Sequence, residues 1–176
     1  MNDKIEVADI HLRQPTVADG AGMWRVVKES GVLDLNSSYL YLLMARDFAR
    51  TCVVAEHAGD IVGFVTGYRR PDRPEAAFLW QVGVLARAQG LGLGKRLVAA
   101  FLRAPGCQGA TVLETTITPD NAASRALFRA IARDLGTGCE VGPCFRAADF
   151  PEAGHEDEEL FEIGPYSPEN LQTLTY

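Results

Sequence analysis

No stretch of this chain approaches ~18 consecutive apolar residues, and its start, MNDKIEVADI, lacks a basic segment leading into an apolar run. Neither membrane insertion nor export is supported, and a cytoplasmic protein is expected. Cysteine is scarce: Cys52, Cys107, Cys139 and Cys144 form no C-x-x-C pair, and His11, His57 and His155 show no metal-ligand spacing with them. That pattern disfavours a metal centre or a disulfide framework and favours reduced, mostly buried thiols. Clustered Lys and Arg are missing too. With 17 basic against 23 acidic residues the net charge is -6, which argues against a nucleic-acid partner and suits a cationic substrate. There is no internal repeat, linker or low-complexity segment. At 47% hydrophobic and 23% charged, residues 1–176 read as one domain with a substantial core, fraying at 1–8 and 166–176.

What is present alternates between two periods. Residues 9–14 read as an edge strand, Thr16 caps a helix that runs to Gly31, and 33–50 form a second amphipathic helix capped by Asn36 or Ser37, with apolar positions 39, 40, 43, 44 and 48. TCVVAEH and IVGFVTGYR flank a turn at Gly59 and Asp60 and make a hairpin. A strand over 77–85, a helix over 92–103, a strand over 110–116 and a helix over 121–134 follow, then strands near 139–147 and 158–163. The order predicts an α+β domain around one largely antiparallel sheet.

Between the strand at 77–85 and the helix at 92–103 stands QGLGLG, residues 89–94, followed by Lys95 and Arg96. A dinucleotide fingerprint needs its third glycine elsewhere. A P-loop needs Gly where Gln89 stands and Ser or Thr where Arg96 stands. What remains is a loop of bare amides at a helix start, suited to a diphosphate without a metal, or else simply a tight corner. Lys95, Arg96 and Arg87 add positive charge nearby.

Gln89-Gly90-Leu91-Gly92-Leu93-Gly94 resembles the Q/R-x-x-G-x-G/A signature of the GCN5-related N-acetyltransferases, and the flanking strands and the helix after Asn121 resemble that family's central motifs in order. The resemblance covers most of the chain. It implies a mixed, mostly antiparallel twisted sheet of six to seven strands with about four helices. It also implies acetyl-CoA as cosubstrate, no metal, and a homodimer. The loop amides and Lys95 would hold the diphosphate, the strand backbone at Val82 and Val84 would pair with the pantetheine arm, and Asn121 and Ser124 would contact the cofactor, Asn121 alternatively being a plain N-cap. LDLNSSY, TCVVAE, VGFVTGY, WQVGV, LETTITPDN and HEDEEL are together similar to the branch of the family that acetylates the γ-amine of L-2,4-diaminobutyrate, a small diamine made into the compatible solute ectoine. Two other readings keep the fold: an acetyltransferase of another amine, a polyamine or a protein N-terminus, and a non-catalytic acetyl-CoA sensor.

That chemistry needs a base, because an alkyl ammonium of pKa about 10.4 must lose a proton before it attacks, a handicap of roughly 4 to 5 kcal/mol at neutral pH. Glu114, mid-strand in VLETT, is the expected base or a substrate anchor, with His155 and Glu158 as alternatives. Asp34 caps a helix or faces the acceptor amine. Tyr39 and Trp80 line the acceptor pocket or join the core, and Thr116 and Thr118 orient the substrate or complete strand and turn hydrogen bonds. Where many members of the family carry a tyrosine that protonates the leaving thiolate, this chain has Phe128, which has no proton to give.

Overall fold

The computed structural model describes residues 5–31, 33–151 and 153–174. One seven-stranded sheet runs through it in the order β1-β2-β3-β4-β5-β7-β6. The strands are β1 (His11–Arg13), β2 (Val53–His57), β3 (Asp60–Arg69), β4 (Ala76–Val84), β5 (Val112–Ile117), β6 (Cys139–Phe145) and β7 (Glu158–Ile163). Every adjacent pair is antiparallel except β4 and β5, which run parallel. The α+β architecture and the strand number expected above are thus observed. Five α-helices accompany the sheet: α1 (Gly20–Ser30), α2 (Ser38–Asp47), α3 (Leu93–Arg103), α4 (Ala122–Asp134) and α5 (Pro168–Thr173).

Local chemistry accounts for most of these boundaries. The β2–β3 hairpin turns through Ala58 and Gly59, both at positive φ, the conformation that suits the twist of the flanking strands. Ser37 caps α2 by accepting from the Tyr39 amide, and Gly31 ends α1 in the left-handed region. Arg13 binds Asp19 through two nitrogens, each at 2.8 Å, and Glu56 at 2.7 Å, which ties β1 to the start of α1 and to β2. That fork holds the Asp19 carboxyl down at about 2, against the opposing effect of its burial.

The core is built on both faces of the sheet. Beneath α1 and α2 lie Met23, Val26, Tyr41, Met44 and Phe64, and under α3 and α4 lie Leu93, Leu97, Phe101, Phe128 and Ile131, all buried. Within α2 the buried stripe is Tyr41, Met44 and Ala45, while Tyr39 and Phe48 face outward. The phase anticipated from the apolar letters is corrected here: Tyr39 lies two residues, about 200°, around the helix from Tyr41. A second correction concerns the end of the chain. Residues expected to fray from 166 include α5, capped by Ser167 with Pro168 in its first turn, and Tyr166 and Leu174 are buried. At the other end residues 1–4 lie outside the described residues, while Ile5 is buried. Two thiols, Cys52 and Cys107, are buried, and burial raises them to about 11 and about 12; Cys144, by contrast, is exposed.

Candidate active site

The feature that makes a site is a gap in the sheet. The parallel ladder between β4 and β5 consists of Ala76 with Val112, Ala77 with Leu113 and Phe78 with Glu114, and goes no further. Past Phe78 one edge of β4 therefore has no strand beside it. Two residues on, β4 carries a bulge: Thr66 and Gly67 on β3 face Gln81 and Leu79, leaving Trp80 as the extra residue. A bulge bends its strand and re-aims a side chain, and Trp80 is indeed turned outward, 39% exposed. The two strands splay around a cavity of about 1410 Å³.

At one end of β4 the chain enters the glycine loop. Gly90 and Gly92 adopt φ of 77° and 69°, and a Cβ on either would meet nothing within 4 Å. Backbone conformation alone therefore demands glycine at these two positions. Gly94 differs: it lies in the first turn of α3, and a Cβ there would make ordinary contact with Leu127 at 3.7 Å. Gly92 is the N-cap of α3 and offers no side-chain cap, so the first-turn amides of Leu93, Gly94 and Lys95 have no capping partner from it. Gln89 folds back to donate to the Val84 carbonyl at 3.3 Å. The cations expected beside the loop are engaged elsewhere. Lys95 pairs with Asp134 at 2.7 Å, Arg96 donates to the Val7 and Ile10 carbonyls, and Arg87 faces Asp60 at 3.5 Å.

Across the gap, Thr115, Thr116, Ile117 and Thr118 continue β5 along the cavity wall to Asn121. Asn121 caps α4, its Oδ1 accepting from the Ser124 amide at 3.0 Å, and both residues line the cavity. Phe128, one turn further along α4, is buried and forms part of the same wall.

The remaining wall comes from three separate loops. Asp34 and Asn36 arrive from the α1–α2 connection. Gln81 positions them, donating from Nε2 to the Asp34 carbonyl at 3.1 Å while its Oε1 accepts from the buried Tyr41 hydroxyl at 2.9 Å. From the segment before β7 come His155 and Glu156, and β7 itself opens with Glu158; the His155 ring is stacked on Phe150 at 4.1 Å and 6°. Burial raises the Glu158 carboxyl above the ordinary carboxylate range; the nearby Asp34 charge raises it further, while a hydrogen bond with Thr116 and the proximity of His155 act in the opposite sense. The third loop is the β3–β4 connection, with Arg70, Pro71 and Asp72 on the wall.

Two residues expected at the acceptor pocket stand apart from it. Tyr39, 62% exposed, is not on the cavity wall. Glu114 is fully buried and does not reach the wall either, because Arg70 and Arg73 close over it: Nη1 of Arg70 binds Oε2 at 3.0 Å and Nη1 of Arg73 binds Oε1 at 2.6 Å. Arg73 also binds Glu162, the residue opposite Glu114 on β7. Both oxygens of the expected base are thereby occupied. Of the acidic run that leads into β7, Glu159 pairs with Arg125 and Asp157 accepts from the Ala147 amide, which leaves Glu156 and Glu158 for the cavity. Arg70, Tyr41, Gln81 and Phe150 had no place in the sequence reading, since their roles arise from contacts across 40 or more residues or, for Phe150, within an irregular loop.

The profile of the Acetyltransferase (GNAT) family matches residues 10–132. The chain belongs to this family. Within it, the L-2,4-diaminobutyric acid acetyltransferase of Streptomyces coelicolor is 49% identical over 162 residues, 91% of this chain and 95% of that protein. That of Marinococcus halophilus is 47% identical over 161 residues, covering 92% and 93%. Among solved structures, diaminobutyrate acetyltransferase EctA from Paenibacillus lautus, in complex with its substrate L-2,4-diaminobutyric acid and coenzyme A, superposes with a TM-score of 0.86. It is 40% identical and covers 90% of this chain and 96% of its own. Ard1 from Thermoplasma volcanium, at a TM-score of 0.72 and 17% identity, shares the fold.

Proposed function

We propose that this chain transfers the acetyl group of acetyl-CoA to the γ-amine of L-2,4-diaminobutyrate, giving N4-acetyl-L-2,4-diaminobutyrate and CoA in the route to ectoine. The observation that carries this reading is the cavity between β4 and β5, walled by Asp34, Glu156 and Glu158 and reaching Val82 on β4, a strand that itself leads on to the uncapped helix-start amides of α3. The names of the relatives and the substrate in the EctA complex support the same assignment.

The diphosphate of acetyl-CoA lies on the amides of residues 90–95, where the helix dipole favours negative charge. Its pantetheine arm takes the place of the missing strand beside β4, along Val82 and Val84, with Asn121 and Ser124 on the opposite bank. The diamine enters among Asp34, Trp80, Thr116, His155 and Glu158. Glu158 removes the proton from the γ-ammonium, directly or through one water. Its raised carboxyl, caused first by burial, narrows the gap to the amine that an ordinary carboxylate would face. The free nitrogen then attacks the thioester carbonyl in a ternary complex. An amide near Val84 stabilises the tetrahedral oxyanion. As the intermediate collapses the carbon–sulfur bond breaks and the proton remaining on the nitrogen passes, directly or through water, to the departing sulfur, whose pKa, about 8.5 by analogy with Cys, makes an acid at the position of Phe128 unnecessary.

The reading includes a homodimer working in the cytoplasm, where thiols stay reduced; light scattering at working concentration tests the dimer. The activity is tested by incubating the protein with acetyl-CoA and, in turn, L-2,4-diaminobutyrate, lysine, spermidine and a peptide, following thiol release and locating the acetyl group by NMR. Preference for diaminobutyrate with acetylation at the γ-nitrogen is expected, and preference for any other acceptor contradicts the reading.

A further inference from the structure

The cavity wall carries five carboxylates, Asp34, Asp72, Asp120, Glu156 and Glu158, and among the described residues one side chain of fixed positive charge, Arg70. Such a wall welcomes ammonium groups and repels an acid. An amino-acid acceptor brings a carboxylate into the same space, and that group needs a cation or a set of donors. We infer that Arg70 is the receptor for the acceptor's carboxylate and that Asp72 occupies it in the ligand-free protein. The inference rests on the diaminobutyrate reading and adds to it the residue that selects an amino acid over a plain diamine.

The geometry is that of a filled receptor. The Arg70 guanidinium grips Asp72 as a fork, Nε to Oδ1 at 3.0 Å and Nη2 to Oδ2 at 2.7 Å, the bidentate arrangement in which arginine recognises a carboxylate. Its third nitrogen, Nη1, is held by Glu114. The two partners are unlike. Glu114 has a side chain only 1% exposed and is itself locked by Arg73, which also binds Glu162, so this contact is permanent and sets the orientation of the fork. Asp72 has a side chain 69% exposed and sits two residues from Arg70 across Pro71, so its contact is a surface ion pair of little net strength. A substrate carboxylate replacing Asp72 would meet the same two N–H groups and leave Asp72 in water. Glu114 is on this account a positioning residue, which explains why a mid-strand carboxylate is buried with both oxygens paired to arginines behind the wall.

The experiment compares two acceptors, L-2,4-diaminobutyrate and 1,3-diaminopropane, which keeps the two amines and lacks the carboxylate. Turnover of diaminobutyrate by the unaltered protein is the control that separates this inference from the activity itself; its absence defeats the activity reading. With that control met, Arg70→Gln is expected to raise KM for diaminobutyrate about 10- to 100-fold, the range of a charge-assisted hydrogen bond, and to leave KM for diaminopropane unchanged. Asp72→Asn, at an exposed position, is expected to lower KM for diaminobutyrate about 2- to 5-fold by removing the internal competitor. Calorimetric CoA affinity equal to that of the unaltered protein shows that each variant is folded. Equal shifts for both acceptors in Arg70→Gln, no shift for diaminobutyrate, or a raised KM in Asp72→Asn overturns the inference.

Discussion

The glycine loop and the acidic cavity are built on opposite principles. The glycine loop at 89–94 offers main-chain donors from one unbroken stretch, and its two positive-φ glycines have open space beside them. The acceptor hollow offers side chains gathered from three distant loops. They are held there by other side chains: Gln81 and Tyr41 behind Asp34, Phe150 beside His155, and Glu114 behind Arg70. A backbone site depends on conformation and a side-chain site on its supports, so substitutions should separate the two.

The sharpest separation is expected at Glu158. Replacement by Gln should lower kcat by about 10²- to 10⁴-fold, the contribution of a positioned base, while calorimetric CoA affinity stays as it was. In the unaltered protein the rate should climb with pH as the base form of Glu158 appears, on a limb lying above the ordinary carboxylate range because burial raises this carboxyl. That limb should vanish in the variant. A surviving limb assigns the base elsewhere.

The anchor at Asp19 lies outside both regions and serves as the control. Its folded-state carboxyl sits at about 2, below an ordinary value of 3.8, so its stabilisation is present above 3.8 and is lost as pH falls through 2. Asp19→Asn should reduce stability at neutral pH by about 2 kcal/mol, read as a lower midpoint in denaturant, and should leave both substrates' KM values unmoved. A selective change in either KM would show that the frame and the cavity are not independent.

At the loop, Gly92→Ala forces a side chain into the left-handed region at a cost of about 1 to 2 kcal/mol, and is expected to raise KM for acetyl-CoA while leaving KM for the acceptor alone. Gly94→Ala, with φ already helical and a Cβ in ordinary contact with Leu127, should fold as well as the unaltered chain. The mildest change is Tyr41→Phe. It deprives Gln81 of one partner and should cost about 1 kcal/mol of stability while raising KM for the acceptor only, through a looser Asp34 loop.

The same contrast explains what could be read from the letters. QGLGLG was legible because its meaning is local: alternating glycines between a strand and a helix bare the amides wherever the chain goes. Strand and helix positions were legible for the same reason, and so was the N-cap at Asn121. The order of β7 and β6 was not, because pairing is decided across the sheet. Tyr39 and Tyr41 carry the same side chain two residues apart, and only the packing of α2 chooses between them. Glu114 shows the limit most clearly. It lies mid-strand in β5 as read, yet nothing adjacent to it announces Arg70 and Arg73, which arrive from a loop 44 and 41 residues away. The proline-bearing RPDRPE was a signal: four charges of alternating pattern held by two stiff residues do not make an ordinary loop. Ser167 followed by Pro168 was likewise a helix start in a segment expected to fray.

A crystal structure with CoA and L-2,4-diaminobutyrate bound tests the central claim most directly. The account places the diphosphate within hydrogen-bonding distance of the amides at 92–95, the pantetheine arm along β4 past Phe78, and the γ-nitrogen between the thiol and Glu158. A diphosphate bound away from residues 89–94, or a diamine bound outside the hollow of Asp34 and Glu158, would contradict it.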